Sequence, residues 1–497
     1  MPEDSVSRGE QVVAARRESL ERLRAKGIEP FALRFDKDAD VAEIHEKFDA
    51  IEPGTETGER HAVAGRVVLA RRHGKLAFLV IRDRSGDLQL FCSEESMAPG
   101  DWGLLDEINL GDIVGAVGEV VKTRRGELSI KVERLSLLTK SLRPPPEKWH
   151  GLQDPELKIR QRYVQLTAEP ESREVVLARA AVLRAMRSYL DAHGFVEVET
   201  PVLQPTPGGA LAKPFVTHHL ALDIDLYLRI ALELYLKRLL VGGLERVYEI
   251  GRNFRNEGID RDHNPEFTML EAYQAYGDYG DMMELVEALV KEAALAVRGT
   301  LTFDYQGREL DLARPWARRT VLELVSEAAG EPVTLERSDL AELAERLGIG
   351  VDPAWGPGKI VLEIFEKLIE PGLFDPIFVK DFPREVSPLA RPHRSEPGLT
   401  EHFDLVIAGM EIGPSYSELT DPDEQRERFL DQLKQRQAGD QEAHPLDEDF
   451  LAALEHGMPP AGGLGLGLDR LIMILADKPS IRDVILFPHL RPEGPPP

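Results

Sequence analysis

The sequence predicts an α+β protein in which a small closed β-barrel precedes a larger domain built on an antiparallel sheet flanked by helices. Three observations predict this. Residues 61–140 hold five short β-rich runs, HAVAGRVVLARR, LAFLVIRD, DLQLFCS, DIVGAVGEVVKT and ELSIKVERLSLL, separated by HGK, RSG and RRG turns. A triple proline in SLRPPPEKWHGLQ then reads as a rigid connector. Beyond it, strands and helices do not follow a regular βαβ rhythm, and strands joined by loops fit antiparallel pairing better. With 497 residues the chain is long enough for two or three domains with full cores.

Residues 1–60 are expected as a helical extension, because GEQVVAARRESLERLRAKG (9–27) has helical periodicity, interleaved charges and a closing Gly27. Five strands in so short a stretch suggest a barrel of the OB type over 61–145. Residues 146–175 are the linker and 176–490 the larger domain. There VVLARAAVLRAMRSYLDAHG is an amphipathic helix ending at Gly194, and FVEVETPVLQ is an alternating strand broken at Pro201. RVYEIG and MLEAYQAY read as buried strands flanking a polar loop, and DMMELVEALVKEAALAVRG as a helix. Residues of about 310–400 are expected to be a mostly helical insertion. FDLVIAGMEIG reads as two antiparallel strands or a bent one, and GGLGLGLDRLIMILAD as a glycine-rich strand leading into a helix. Residues 491–497, ending in three prolines, are expected to be a disordered tail.

Composition narrows the function classes. Hydrophobic residues at 42% and charged residues at 30% are ordinary for a soluble globular protein. The single cysteine, Cys92, excludes an intrachain disulfide and suggests a reducing, cytoplasmic setting. No apolar run is long enough to span a bilayer and the N-terminus lacks a signal-type apolar core, so no membrane partner is expected. The net charge of −26 argues against non-specific nucleic-acid binding. A local basic patch from Arg66, Arg71, Arg72 and Lys75, with Lys122, Arg124 and Arg125, leaves room for a specific RNA partner.

The stretch FRNEGIDRDHNPEFTMLEAY, Phe254 to Tyr273, is dense in chemistry. A hairpin there brings Arg255 and Phe267 close across the strand pair. A guanidinium fork suits a phosphate and a phenyl face suits a purine, so the pair reads as a nucleotide clamp. GGLGLGLDRL offers glycines that let a ligand approach the backbone, and Arg470 as a second phosphate-binding arginine. A dinucleotide-binding reading fails, because no βαβ unit surrounds the glycines.

These residues resemble a family. FRNEG followed by HNPEFTMLE is similar to motif 2 of the class II aminoacyl-tRNA synthetases, GLGLGLDR to motif 3, and GFVEVETPVLQP to motif 1. PGGALAKPFVTHHLALDIDLYLRIALELYLKRLLVGG and SIRDVILFP resemble the lysyl branch of the bacterial type. The resemblance covers nearly the whole chain, including the barrel, which binds the anticodon in that family. It implies a homodimer, ATP as substrate, up to three Mg²⁺ per site, and charging of tRNA(Lys) with L-lysine through an adenylate. Arg255 and Arg470 would be catalytic, on the α- and γ-phosphates. Phe267 would stack on adenine, with Glu257, His263, Asn264 and Glu411 around the nucleotide. Asp404 and Glu411 match the metal-binding carboxylates, and hard oxygen ligands suit Mg²⁺.

The lysine pocket would use Glu418 for the ε-ammonium, Tyr273 and Tyr416 beside the alkyl stem, and Gly209, Glu233, Glu271 and Gly467 around the rest. Arg66, Phe78, Gln89 and Phe91 would contact the anticodon; each aromatic alone fits barrel core equally well. Two departures stand out. Leu232 replaces a proline common in relatives, and Pro414-Ser415-Tyr416 replaces Asn-Ala-Phe or Asn-Gly-Phe, so no side-chain amide is available at 414. Competing readings are an aspartyl or asparaginyl relative, which would want an arginine near Glu418, and a paralogue that modifies a protein, which would lack the barrel. A non-catalytic tRNA-binding descendant would have lost Arg255, Arg470 or the paired acids, and all are present.

Overall fold

The computed structural model describes residues 8–146, 152, 154–437 and 445–491. Most of the expected tail, and residues 147–151 and 153 of the expected linker, lie outside the described residues. The chain divides into two compact units, Met1–Gln153 and Asp154–Pro497. Among the described residues, no helix is long and apolar enough to cross a membrane.

The first unit contains a closed five-stranded barrel. Its strands are Glu56–His73, Leu76–Arg82, Asp87–Ser93, Ile113–Lys122 and Leu128–Thr139, with the last two exchanged in spatial order. Alternation sets the faces: Ala77, Leu79 and Ile81 point inward, as do Leu88, Leu90 and Cys92, while Phe78, Gln89 and Phe91 point outward. The N-terminal helices, Arg8–Ala25 and Val41–Phe48, are part of this unit's core. Leu23, Ile44 and Phe48 are buried with Val63, Leu90 and Ile130. Each such fully buried aliphatic side chain contributes about 1.5–3 kcal/mol.

The second unit is built on an eight-stranded sheet. In spatial order its strands are Ala317–Thr320, Ile377–Lys380, His402–Ile407, Met410–Ser417, Ala461–Gly467, Glu266–Ala275, Arg246–Phe254 and Val196–Glu197. The inner strands pair antiparallel, and the strand at each edge pairs parallel. Helices Ser172–Ala192, Tyr279–Arg298 and Leu468–Leu475 bury Met186, Leu289 and Ile472 against Tyr248, Leu270 and Leu466 on one face. On the other face helix Glu233–Val241, with Phe429 and Phe450, packs on Val247 and Tyr273.

Two expectations change in detail. FVEVETPVLQ is not one strand. Val196–Glu197 joins the main sheet, whereas Leu203–Gln204, beyond Pro201, pairs with Ile224–Leu228 in a separate three-stranded sheet. Nor are residues 310–400 a single helical insertion. Two short runs, the polar Ala317–Thr320 and the apolar Ile377–Lys380, supply two strands of the main sheet, and the helices lie between, from Val321 to Ile369. Their own small core includes Val325, Val361 and Ile364.

Candidate active site

The site begins with the hairpin Arg246–Phe254 and Glu266–Ala275, in which Asn253 faces Phe267. One residue beyond the ladder, the Arg255 N–H donates to the Pro265 carbonyl (2.9 Å), which pins the start of the loop. The Arg255 guanidinium lies over the Phe267 ring, 5.0 Å from its centroid. Strand and helix pack there because the Arg179 guanidinium, from helix Ser172–Ala192, donates to Asp469 (2.5 Å) and to the Thr268 hydroxyl (2.7 Å). The Thr268 N–H also donates to Asp469 (2.7 Å). This triad ties the hairpin to the helix that carries Arg470.

Arg470 projects into the same cleft. It donates to the Glu411 carbonyl (2.6 Å) and to Nε2 of His263 (3.0 Å), and its guanidinium is 3.7 Å from the Glu411 carboxylate. The His263 Nδ1–H in turn faces Asp260 (2.9 Å), whose carboxylate also caps the N–H groups of Asp262 and His263. Burial lowers the Arg255 pKa, with the like charge of Arg470 adding to it and Glu257, Glu411 and Glu271 opposing. Two arginines converging on one cleft suit a polyanion. Glu257 is exposed at the rim, and Asn264 is buried, its amide donating to the Glu266 carbonyl (2.6 Å) while its own oxygen has no hydrogen-bond partner.

The cleft, of about 460 Å³, runs from this clamp to Glu233 and Glu271, and Glu418 is buried behind its wall. Glu233 and Glu271 are each 4% exposed and Glu418 is 1% exposed. Glu271 accepts from the Leu232 N–H (2.9 Å) and the Tyr273 hydroxyl (3.0 Å). A proline at 232 has no N–H to give, so this departure adds a hydrogen bond. Glu418 lies behind Gly463, where an added Cβ would overlap both its Oε1 and the Tyr273 ring. Burial pushes the Glu271 carboxyl up to about 7. Burial pushes Glu418 to about 8 while Lys237 pulls the other way. Gly209 packs on Ala231 and Glu233, Tyr416 is paired across the sheet with Gly463, and Gly467 closes the strand opposite Met269.

Asp404 and Glu411 both line the cleft, on the adjacent strands His402–Ile407 and Met410–Ser417. Burial raises the Glu411 pKa, and so does the nearby Asp404. Paired acids of this kind could hold a hard cation such as Mg²⁺, which would relieve their repulsion. Among the described residues no group of three or more potential metal ligands occurs. Asp404 accepts from His402 Nε2 (2.9 Å), whose Nδ1 accepts from Ser387 (2.8 Å). Pro414 sits opposite Asp404 and lines the cleft without a donor.

The residues read for RNA lie in the first unit. Phe78 and Phe91 stack on the outer barrel face at 5.4 Å, which removes the core reading of both. Gln89, on the same face, donates to the Ser129 hydroxyl (2.8 Å), and Arg66 donates to the Gly111 carbonyl (2.7 Å). Part of the expected basic face is neutralised: Arg72 pairs with Asp106 and Lys75 with Glu94.

With this geometry in hand, the comparisons decide the family. A model described as class II tRNA synthetases (D, K and N) matches residues 154–491, and an OB-fold nucleic-acid-binding domain of the anticodon type matches residues 62–138. A lysine–tRNA ligase of Moorella thermoacetica is 52% identical over 97% of this chain and 98% of its own length. Those of Thermosynechococcus vestitus and Methylobacillus flagellatus are 49% and 48% identical, again over nearly full length of both chains. The chain belongs to the class II lysine–tRNA ligase family.

Within that family's fold, sequence reasoning missed several residues of this site. Lys237 is fully buried, with its ammonium 2.5 Å from Glu233 and 2.5 Å from Glu418. Its spacing of four from Glu233 on a helix was the available signal. Glu366 and Glu370 approach the Asp404–Glu411 pair. Burial and neighbouring acids including Glu411 raise them to about 7 and about 8, with Lys359 opposing at Glu366. Arg179 had no local signal, because its partner Asp469 is distant in sequence.

Proposed function

We propose that the chain activates L-lysine with ATP, forming lysyl-adenylate and pyrophosphate, and then transfers the lysyl group to the 3′ end of tRNA(Lys). The observation that carries this reading is Glu418: a carboxylate buried directly behind Gly463 of the cleft wall, with Oε1 lacking a hydrogen-bond partner. A site for the side chain of aspartate or asparagine would not place the buried Glu418 carboxylate there.

The chemistry follows from charge. A carboxylate oxygen of lysine attacks the α-phosphorus, and the bond to the pyrophosphate oxygen breaks. The nucleophile is already ionised, so positioning and charge neutralisation do the work rather than a general base. Arg255 meets the α-phosphate and Arg470 the γ-phosphate. Phe267 carries the adenine, with Glu257, His263 and Asn264 around it. Mg²⁺ would be held by Asp404 and Glu411 and would neutralise phosphate charge when bound. Glu418 takes the ε-ammonium, Tyr273 and Tyr416 flank the stem, and Gly209, Glu233, Glu271 and Gly467 surround the α-amino end.

The outward stack of Phe78 and Phe91, with Gln89 and Arg66, offers a platform for single-stranded anticodon bases. A homodimer is supported by the exposed apolar side chains Val196, Leu203, Val216 and Leu220, at the sheet edge and the small sheet beside motif 1. A single buried thiol supports a cytoplasmic setting.

Glu418→Gln tests the pocket. Removing one partner of a buried pair costs about 3 kcal/mol, roughly a hundredfold. Lysine KM should rise by that factor with ATP KM nearly unchanged. Equal rises in both would refute the assignment of Glu418.

A further inference from the structure

Helix Glu233–Val241 enters the floor of the cleft, and Lys237 lies one turn beyond Glu233 with no exposed surface. Its ammonium touches two carboxylates, Glu233 on its own helix and Glu418 just beyond strand Met410–Ser417. These are the two acids that the lysine-activating reading gives to opposite ends of the substrate. The third acid, Glu271, is held separately by the Leu232 N–H and the Tyr273 hydroxyl. Three carboxylates and one resident ammonium leave the pocket two negative charges in excess. Lysine carries two ammonium groups, and its own carboxylate is directed at the α-phosphorus.

We propose that Lys237 is a specificity-determining positioning residue, bridging Glu233 and Glu418 so that the pocket's excess charge is the one that the two ammonium groups of lysine neutralise. This rests on the lysine-activating reading. A buried charge without a partner is strongly disfavoured, so an unbalanced pocket takes up a proton instead. Without Lys237 the three acids would outnumber the two substrate ammonium groups by one, so one acid would hold a proton at neutral pH, and where that acid is Glu233 or Glu418 the ammonium it faces loses a charged partner. With Lys237, all three are ionised when lysine is bound. The bridge also holds the two outer carboxylates to one separation, which favours a side chain of lysine's length.

The ionisable groups around the bridge are Glu233, Glu418 and Glu271, the phenols of Tyr273 and Tyr416, and His402. The carboxyls are pushed upward chiefly by burial. Lys237 opposes that push on both Glu233 and Glu418. Removing its charge therefore moves the carboxyl titrations to still higher pH.

The test uses the full-length enzyme and ATP–pyrophosphate exchange. The wild type is measured first with lysine; no exchange there would sink the underlying reading. Lys237→Met, of similar length, is then compared with Lys237→Arg across pH 6–9. The expected result for Lys237→Met is a lysine KM raised about tenfold or more at neutral pH, an ATP KM within about threefold of wild type, and a fall in lysine KM displaced to higher pH. Lys237→Arg should restore the pH profile. If Lys237→Met does not fold, Lys237→Gln, also neutral, makes the same comparison. Overturning results are a wild-type lysine KM and pH profile in the neutral variants, or ATP and lysine KM rising together.

Discussion

Arg255 is the side chain on which activation depends most directly. It lies over Phe267, and burial, with the smaller effect of Arg470, disfavours its charge more than Glu257, Glu411 and Glu271 favour it, so an entering anion would be welcomed. Arg255→Ala should lower kcat/KM for exchange about a hundredfold to a thousandfold. Its unfolding temperature should stay near that of the wild type, since its one backbone acceptor, the Ile230 carbonyl, is distant at 3.4 Å. Near-normal exchange by a folded Arg255→Ala protein would contradict the α-phosphate assignment.

The buried acids set a pH dependence. Glu271 is raised to about 7 and Glu418 to about 8, so both hold protons over part of the neutral range. An ammonium pairs with the ionised form, and lysine binding must expel those protons. Lysine KM should therefore fall as pH rises from 6 through 8, while ATP KM changes little. A lysine KM flat across that range would show that these carboxyls are already ionised.

At the scale of elements, the pocket depends on strands that approach more closely than side chains allow. Gly463 leaves room for Glu418 and Tyr273, and Gly413 lies against the Gly465 carbonyl of the neighbouring strand. The two predict different losses. Gly463→Ala should raise lysine KM at least about tenfold by displacing Glu418, and its overlap with the buried Tyr273 ring should cost about 1–3 kcal/mol of stability. Gly413→Ala meets backbone and should destabilise the sheet by about 1–3 kcal/mol, read as a lowered unfolding temperature. The glycine run around Gly463 was legible as a place of close approach, although its occupant, Glu418, was not, since the two strands meet only in the folded sheet. The motif-2 hairpin was legible for a simpler reason. Its apolar strands flank one polar loop, so Arg255 and Phe267 had to end near each other. FVEVETPVLQ misled because alternation does not say which sheet a strand joins; Pro201 divides it between two.

At the scale of the molecule, the chain falls into two units, each with its own core. Gln89 was legible on the barrel face because its polar amide is hard to explain as core. Phe78 and Phe91 needed the register, because an aromatic fits either side of a barrel strand. Residues 154–497, expressed alone, should retain lysine-dependent exchange and lose charging of tRNA(Lys), as the stacking platform is removed. Full charging by that fragment would refute the barrel's role.

The most direct test of the central claim is ATP–pyrophosphate exchange by the full-length protein with each of the twenty amino acids, with Mg²⁺ and without tRNA. Exchange with lysine alone is the predicted result, and it would show that a cleft with Pro414 in place of an amide still supports activation. Exchange with aspartate or asparagine, or with none of the twenty, would contradict it.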